Sequence, residues 1–185
     1  MRTLMLFAAS GVIGILGGLF AGAAEPLKVG DAAPKLAIKL DDGSELDPSE
    51  PKRPVVLYFY PKDDTPGCTK EACTFRDRTD EVAKTGALVV GVSFDPTESH
   101  KKFREKYSFK FPLATDDGKI AAAFGVAVRG VAPKRYHARD TIVIDAAGKV
   151  LAVFRGVDPV KGVDDVLAAL AKKGETPPAK PDSKG

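Results

Sequence analysis

The chain has 185 residues, enough for one domain with a sizeable core; 44% of them are hydrophobic and 29% charged, as in ordinary globular proteins. The net charge of +3 is small and basic residues are interleaved with acidic ones, so nothing indicates a nucleic-acid-binding protein. Only two cysteines are present, Cys68 and Cys73. A disulfide between them would close a very small loop, which excludes a framework that holds the fold together and directs attention to their reactivity.

Residues 1–24 resemble a secretory signal. Arg2 is the only charge, an apolar stretch follows, and small residues precede Glu25. This order predicts a signal peptide cleaved after Ala23 or Ala24. An uncleaved membrane anchor is the alternative, because about 20 apolar residues is near the lower limit for a span. We therefore expect an exported protein, periplasmic or extracellular, that is membrane-bound only if the segment is retained.

Hydrophobic periodicity and turn residues predict the elements that follow. In chain order they are a hairpin formed by 35–40 and 44–46, a strand at 54–60, a helix at 69–83, a strand at 87–93, helices at 97–106 and 119–124, strands at 141–145 and 150–154, and a helix at 159–172. The segments 54–60 and 87–93 are nearly continuous apolar runs, which predicts strands buried in the centre of a sheet.

The alternation of strands and helices predicts an α/β protein, a three-layer α/β/α sandwich with a mixed central sheet and an N-terminal hairpin extension. The tail 174–185 contains three prolines and no apolar cluster, so we expect it to be disordered. The predicted folded domain is therefore 26–173.

Cys68 lies where the buried strand 54–60 ends and the next helix begins. Active groups of open α/β sheets gather at the carboxyl ends of the strands. The first N–H groups of a helix have no partner within it, and the helix dipole is positive at that end. Both effects favour thiolate over thiol, so the sequence predicts that Cys68 is a nucleophile.

Cys73 can react with the oxidised form of Cys68. A thiol condenses with a sulfenic acid to give a disulfide and water. Five residues along an ideal helix separate two Cα atoms by roughly 8.6 Å, whereas a disulfide requires less than about 7 Å. We therefore predict that the first turns of this helix unwind in each catalytic cycle.

The stretch PKDDTPGCTKEAC closely resembles the peroxiredoxins, in particular the bacterioferritin comigratory protein or peroxiredoxin Q group. Pro61, Thr65 and Cys68 reproduce the family pattern of Pro, three residues, Thr or Ser, two residues and Cys. Segments 99–103 and 111–116 are similar to the middle section of the family, and 139–145 is similar to its arginine strand. The resemblance covers about 28–172. It implies a thioredoxin-like fold and a peroxidase that reduces hydrogen peroxide and organic hydroperoxides without metal, haem or flavin.

The resemblance also implies catalytic roles. Cys68 corresponds to the peroxidatic cysteine and Cys73 to the resolving cysteine. Thr65 corresponds to a hydroxyl that hydrogen-bonds thiolate and peroxide, and Pro61 to a residue that shields the site from water. Arg139 corresponds to the guanidinium that stabilises the thiolate and polarises the O–O bond, a role suited to a planar cation with several donors.

Two further residues complete the implied site. Gly67 would bind the peroxide together with Thr65 and Arg139, and Glu71 corresponds to a glutamate that positions the arginine. Each assignment has an alternative. Thr65 can be only a helix cap, Pro61 only a loop former, Glu71 an ordinary helix-surface carboxylate, and Arg139 a surface residue at the start of a strand.

The resemblance implies a hydroperoxide substrate, a thioredoxin-like reductant and a monomer rather than a dimer. In an exported setting the reductant would be a membrane-tethered or periplasmic protein. The basic segment 126–138 matches the family only loosely. Since the family mechanism requires no histidine, we expect His137 to be a loop or surface residue.

Three other functions compete with a peroxidase. A catalytically dead binding domain is disfavoured, because every group needed for peroxide reduction is present. A thiol–disulfide oxidoreductase normally has Cys-x-x-Cys at the helix start, whereas this chain has four residues between its cysteines. A copper-delivery protein could combine both thiolates with His137, but that histidine lies in a basic segment unfavourable to a cation.

Overall fold

The computed structural model describes residues 27–172; the predicted signal segment 1–24 and the predicted disordered tail 174–185 lie outside them. The strands are β1 (Ile38–Lys39), β2 (Glu45–Leu46), β3 (Val55–Phe59), β4 (Leu88–Ser93), β5 (Leu113–Thr115), β6 (Val128–Arg129), β7 (Tyr136–His137), β8 (Asp140–Ile144) and β9 (Val150–Arg155). The helices are α1 (Pro66–Asp77), α2 (Thr79–Lys84), α3 (Thr97–Tyr107), α4 (Lys119–Ala123) and α5 (Gly162–Lys172).

Five strands form the central sheet in the order β5-β4-β3-β8-β9. Strand β3 is parallel to β4 on one side and antiparallel to β8 on the other, so the sheet is mixed. All five residues of β3 are buried, as expected for the central strand of a covered sheet. The predicted N-terminal hairpin is present as the antiparallel pair β1-β2.

Alternate residues of β3 face two hydrophobic clusters. Leu57 and Phe59 pack with residues of α4 and of the β1-β2 hairpin. Val56 and Tyr58 pack with residues of α1, α2, α3 and α5. The sheet is therefore covered on both sides, and the thioredoxin-like α/β/α sandwich is confirmed, with one outer layer much larger than the other.

The helix predicted at 69–83 is wrong in its bounds. It begins earlier, because Pro66 has no N–H to lose and suits the first turn. It is also two helices, α1 and α2, separated at Arg78. The Thr79 hydroxyl donates to the carbonyls of Arg76 and Phe75, a local bond that competes with continuation of the helix.

Two features were not predicted. Strand β5 is a three-residue edge strand directly after Pro112, too short to produce a periodic pattern. The basic segment 126–138 contains the hairpin β6-β7, which carries the chain to Arg139 at the start of β8. Among residues 27–172, no helix combines the length and apolar character needed to cross a membrane.

Candidate active site

The central sheet brings Cys68 and Arg139 together. Strand β3 ends at Phe59, and after a six-residue turn α1 places Cys68 in its first turn. Strand β8 runs antiparallel to β3, so its first residue, Asp140, pairs with Phe59. Arg139 therefore lies at the same end of the strands as the start of α1, although 71 positions separate it from Cys68.

Arg139 contacts two side chains at once. Its Nη2 donates to Cys68 Sγ at 3.2 Å, and its Nη1 donates to Glu71 Oε2 at 2.6 Å. Glu71 lies one turn after Cys68 on α1, so both side chains project from the same face of the helix. A fixed guanidinium fork is well suited to hold two acceptors in this way.

The Cys68 thiol and the Glu71 carboxyl group are both shielded from solvent. Cys68 is 1% exposed and Glu71 2% exposed, whereas Arg139 is half-buried. Burial raises the pKa of Glu71 to about 7, although the Arg139 guanidinium acts in the opposite direction. Burial also disfavours the charge on Arg139, but Cys68 and Glu71 outweigh that effect and raise its pKa.

Gly67 lies directly against the guanidinium. A Cβ at this position would be 2.8 Å from Arg139 Nη2, the nitrogen that contacts Cys68. Only a residue without a side chain leaves Arg139 in its present place.

Thr65 and Pro61 lie in the turn that joins β3 to α1. Thr65 is the N-cap of α1 by position, but its side chain makes no capping bond, and its hydroxyl donates to the Lys62 carbonyl at 3.1 Å. In this conformation its single hydroxyl proton is not directed at Cys68. Pro61 and Arg139 both line an open cleft of about 510 Å³ that leads to the guanidinium.

Cys73 lies further along the same unbroken helix. Both cysteines are free thiols, and Cys73 packs half-buried against the cluster that contains Cys68. An intact α1 keeps the two sulfurs too far apart for a disulfide.

A buried network around Asp63, which the sequence analysis did not identify, holds the turn between β3 and α1. The Asp63 carboxylate accepts hydrogen bonds from Tyr60 OH at 2.6 Å and Ser99 Oγ at 2.7 Å, and it lies 3.0 Å from His100 Nδ1. His100 and Ser99 belong to α3, so the turn that precedes Cys68 is anchored to a second helix. Consecutive aspartates in a turn look like ordinary solvated residues, and only the spatial neighbourhood distinguishes them.

The expectation that His137 is a loop or surface residue is wrong. Its side chain is fully buried, because alternation along β7 directs Tyr136 outward and His137 inward. Both ring nitrogens have partners, Nδ1 with the Val92 carbonyl and Nε2 with Asp116. Neither nitrogen is free to join the cysteines in a copper site, and among residues 27–172 no cluster of metal-ligating side chains is found.

The raised pKa of Glu71 predicts a pH-dependent stability. The folded protein retains this proton from the ordinary value of 4.5 up to about 7, whereas the unfolded chain loses it near 4.5. The stabilisation from the bound proton is therefore complete at acid pH and is lost as the pH rises to 7. Relative to Glu71→Gln, the wild type should lose roughly 3 kcal/mol of unfolding free energy over this window, measured by urea unfolding.

Glu81→Gln is the matched control. Glu81 is exposed and bonded to Arg78, which lowers its pKa, so its contribution is present at neutral pH and disappears towards acid. As the pH rises, the unfolding free energy of the wild type should fall relative to that of Glu71→Gln and rise relative to that of Glu81→Gln. Parallel curves for Glu71→Gln and the wild type would contradict the raised pKa.

Comparison with known proteins shows the family to which this chain is related. Residues 29–153 match the AhpC/TSA family. The putative peroxiredoxin Bcp of Coxiella burnetii is 40% identical over 149 residues, which cover 78% of this chain and 99% of that protein. The crystal structure of peroxidoxin BcpB from Mycobacterium tuberculosis has a TM-score of 0.72 at 40% identity, covering 79% of this chain and 97% of that one. The bacterioferritin comigratory protein of Xanthomonas campestris, studied for alkyl peroxide reduction, has a TM-score of 0.68 at 32% identity, covering 78% and 100%.

The comparisons contradict the exported location expected from residues 1–24. The bacterial Bcp relatives align with this chain over 98–99% of their own length, so those proteins have no leader segment of that size. The expectation of a periplasmic or extracellular enzyme is therefore wrong. The expectation of a membrane-tethered or periplasmic reductant, which depends on that location, is wrong as well.

Cysteine, arginine and glutamate thus meet at the carboxyl end of β3 in a thioredoxin-like sheet. The relatives found by sequence and those found by structure belong to the same family. The chain belongs to the AhpC/TSA family, within its peroxiredoxin Q and Bcp group of antioxidant peroxidases.

Proposed function

We propose that this chain reduces hydrogen peroxide and organic hydroperoxides with Cys68 as the peroxidatic thiolate and Cys73 as the resolving thiol. The single observation that carries the proposal is the 3.2 Å contact from Arg139 Nη2 to Cys68 Sγ in the first turn of α1. A guanidinium and a helix N-terminus at one sulfur both favour the anionic, nucleophilic form. We propose 26–173 as the catalytic domain.

In the first step the Cys68 thiolate attacks the terminal oxygen of the hydroperoxide. The S–O bond forms as the O–O bond breaks, sulfur is oxidised to sulfenic acid, and the departing alkoxide takes up a proton to give the alcohol, or water from hydrogen peroxide. Negative charge moves from sulfur towards the two oxygens. Arg139 remains positive throughout and has further N–H donors to follow that charge.

Four more residues contribute to the site around the sulfur. Pro61 lines the cleft beside Arg139, and we expect its ring to limit the access of water to the sulfur. Gly67 leaves room for the guanidinium, and we expect the peroxide oxygens to bind beside it. Thr65 can direct its hydroxyl at the substrate by a single rotation away from the Lys62 carbonyl. Glu71 holds the other side of the guanidinium and so sets its orientation.

In the second step Cys73 attacks the sulfenic acid. The S–S bond forms, and the hydroxyl of the sulfenic acid leaves with the thiol proton as water. The first turns of α1 must unwind for the sulfurs to meet, which breaks bonds such as the one from Thr69 N–H to the Thr65 carbonyl.

In the third step a thioredoxin-type dithiol reduces the Cys68–Cys73 disulfide by thiol–disulfide exchange and is itself oxidised. We propose that the protein acts as a monomer, in which one domain carries every side chain named above.

Substitution of each cysteine by serine separates the steps. Cys68→Ser should abolish peroxide consumption because no nucleophile remains. Cys73→Ser should consume one equivalent of peroxide at the wild-type rate and then stop, with a sulfenic acid trapped by dimedone and identified at Cys68 by mass spectrometry.

These variants also define failure of the proposal. Full turnover by Cys68→Ser would refute the assignment of the nucleophile. An undiminished steady-state rate in Cys73→Ser, with thioredoxin as sole reductant, would refute the resolving role.

Gly67→Ala tests the contact between Arg139 and the sulfur without removing either group. The new Cβ would displace the guanidinium nitrogen that touches Cys68. The rate constant for the first peroxide equivalent should fall by about tenfold to a hundredfold, because small displacements of a catalytic group have effects of this size. The unfolding free energy should change by less than about 1 kcal/mol, since alanine suits a helix better than glycine.

Lys70→Ala is the control for a substitution on α1, because Lys70 is exposed on that helix. It should leave the first-equivalent rate constant unchanged. A Gly67→Ala enzyme as fast as Lys70→Ala would mean that the position of Arg139 does not limit the reaction.

A further inference from the structure

A buried histidine two residues before Arg139 has no part in the chemistry proposed above. The ring of His137 is fully covered. It packs between Phe59, at a centroid distance of 5.4 Å, and Phe94, at 4.4 Å. A polar ring in such an apolar place requires hydrogen-bond partners for its nitrogens.

Both partners of the ring are acceptors. His137 Nδ1 lies 3.2 Å from the carbonyl oxygen of Val92, and Nε2 lies 2.9 Å from Asp116 Oδ2. A carbonyl oxygen can only accept, so the hydrogen of the first bond belongs to Nδ1. A neutral ring would then present a bare Nε2 to a carboxyl oxygen. The second bond therefore requires a proton supplied either by the ring or by Asp116.

Asp116 is an unfavourable place for that proton. Its Oδ1 accepts the backbone N–H groups of Gly118 and Ile120, and its Oδ2 accepts that of Ala121. Several N–H donors on one carboxyl group favour the ionised form. Burial acts against the charge, but the bonds from His137 and from these backbone groups outweigh it and lower the pKa of Asp116.

We infer that His137 is a buried imidazolium, donating from both nitrogens, and that it is a positioning residue for Arg139. One donor ties β7 to the end of β4 through Val92, and the other ties it to the turn before α4 through Asp116. The next residue, Ala138, is held by its own N–H bond to the Ala127 carbonyl. Arg139 is the next residue. The ion pair between His137 and Asp116 therefore fixes the chain just before Arg139, and β8 fixes the chain just after it.

Other charged groups near the ring lie at the surface. Arg135 stacks on Phe94 at 4.7 Å, Asp117 pairs with Lys119, and Arg129 follows the residue that pairs with His137 in the β6-β7 hairpin. All four are exposed. Within 27–172, Asp116 is the only side-chain carboxylate that forms a hydrogen bond with His137, so it is the counter-ion of the imidazolium.

The charge state is tested directly by nitrogen NMR of the reduced, full-length wild-type protein at neutral pH. Both ring nitrogens of His137 should have imidazolium shifts, each with a slowly exchanging proton; the signals are assigned by their loss in His137→Gln. One unprotonated, pyridine-type nitrogen would overturn the inference. This readout does not depend on peroxidase activity, so it stands or falls separately from the proposed function on which the positioning role rests.

The positioning role is tested with His137→Gln and Asp116→Asn. Each should lower the rate constant for the first peroxide equivalent by about tenfold and shift the Arg139 guanidinium resonances, and the double variant should be no slower than the slower single one, because both act through one contact. Val150→Ala is the control, since Val150 is a core residue opposite Ile144, at the far end of β8 from Arg139.

Val150→Ala should lose stability and keep the wild-type rate constant. Unchanged rate constants and guanidinium resonances in Asp116→Asn would overturn the positioning role even if His137→Gln fails to fold. If the wild type itself reacts at Cys68 no faster than a free thiol, the proposed function fails, while the NMR result still decides the charge state.

Discussion

The structure depends on one guanidinium shared between two acids in a nearly dry site. Arg139 donates to the Cys68 sulfur and to the Glu71 carboxylate, and both acceptors are almost fully buried. In water a single cation beside a thiol would have little effect, but at low effective dielectric the same contact is much stronger. Glu71 fixes the position of Arg139 and also competes with Cys68 for its positive charge. Because the pKa of Glu71 is raised to about 7, the interaction among the three groups is sensitive to pH.

The active-site helix must satisfy two opposed requirements. While α1 is intact, its first turn holds the sulfur against Arg139, and Cys73 stays out of reach. In the cycle we propose, α1 unwinds so that the sulfurs can join, and Cys68 then leaves both the helix terminus and the guanidinium. The anchoring of the flanking segments makes this exchange possible, because Asp63 holds the turn before the helix on α3 and His137 holds the segment before Arg139. The frame can stay in place while one helix opens.

Much of this could be predicted from the sequence. The apolar runs predicted the central strands. The motif around Cys68 led to Thr65 and Glu71 as candidate residues, and the similarity of 139–145 to the arginine strand of the family led to Arg139. The break at Arg78 escaped prediction because it depends on hydroxyl bonds of Thr79 that have no periodic signature. The sequence does not predict a buried His137, because Asp116, the partner that its ring needs in an apolar place, lies 21 positions away and no local pattern links the two. Local chemistry could thus be predicted, whereas the supporting contacts between distant segments could not.

The central claim is that Arg139 activates Cys68. Its most direct test is the second-order rate constant of Cys68 with one equivalent of hydrogen peroxide at neutral pH, compared among the wild type, Arg139→Lys and Arg139→Gln. We expect the rate constant to fall by a factor of about 10²–10³ for Arg139→Gln and by less for Arg139→Lys, which keeps the charge without the planar fork. An Arg139→Gln protein that folds and reacts within a few-fold of the wild type would contradict it.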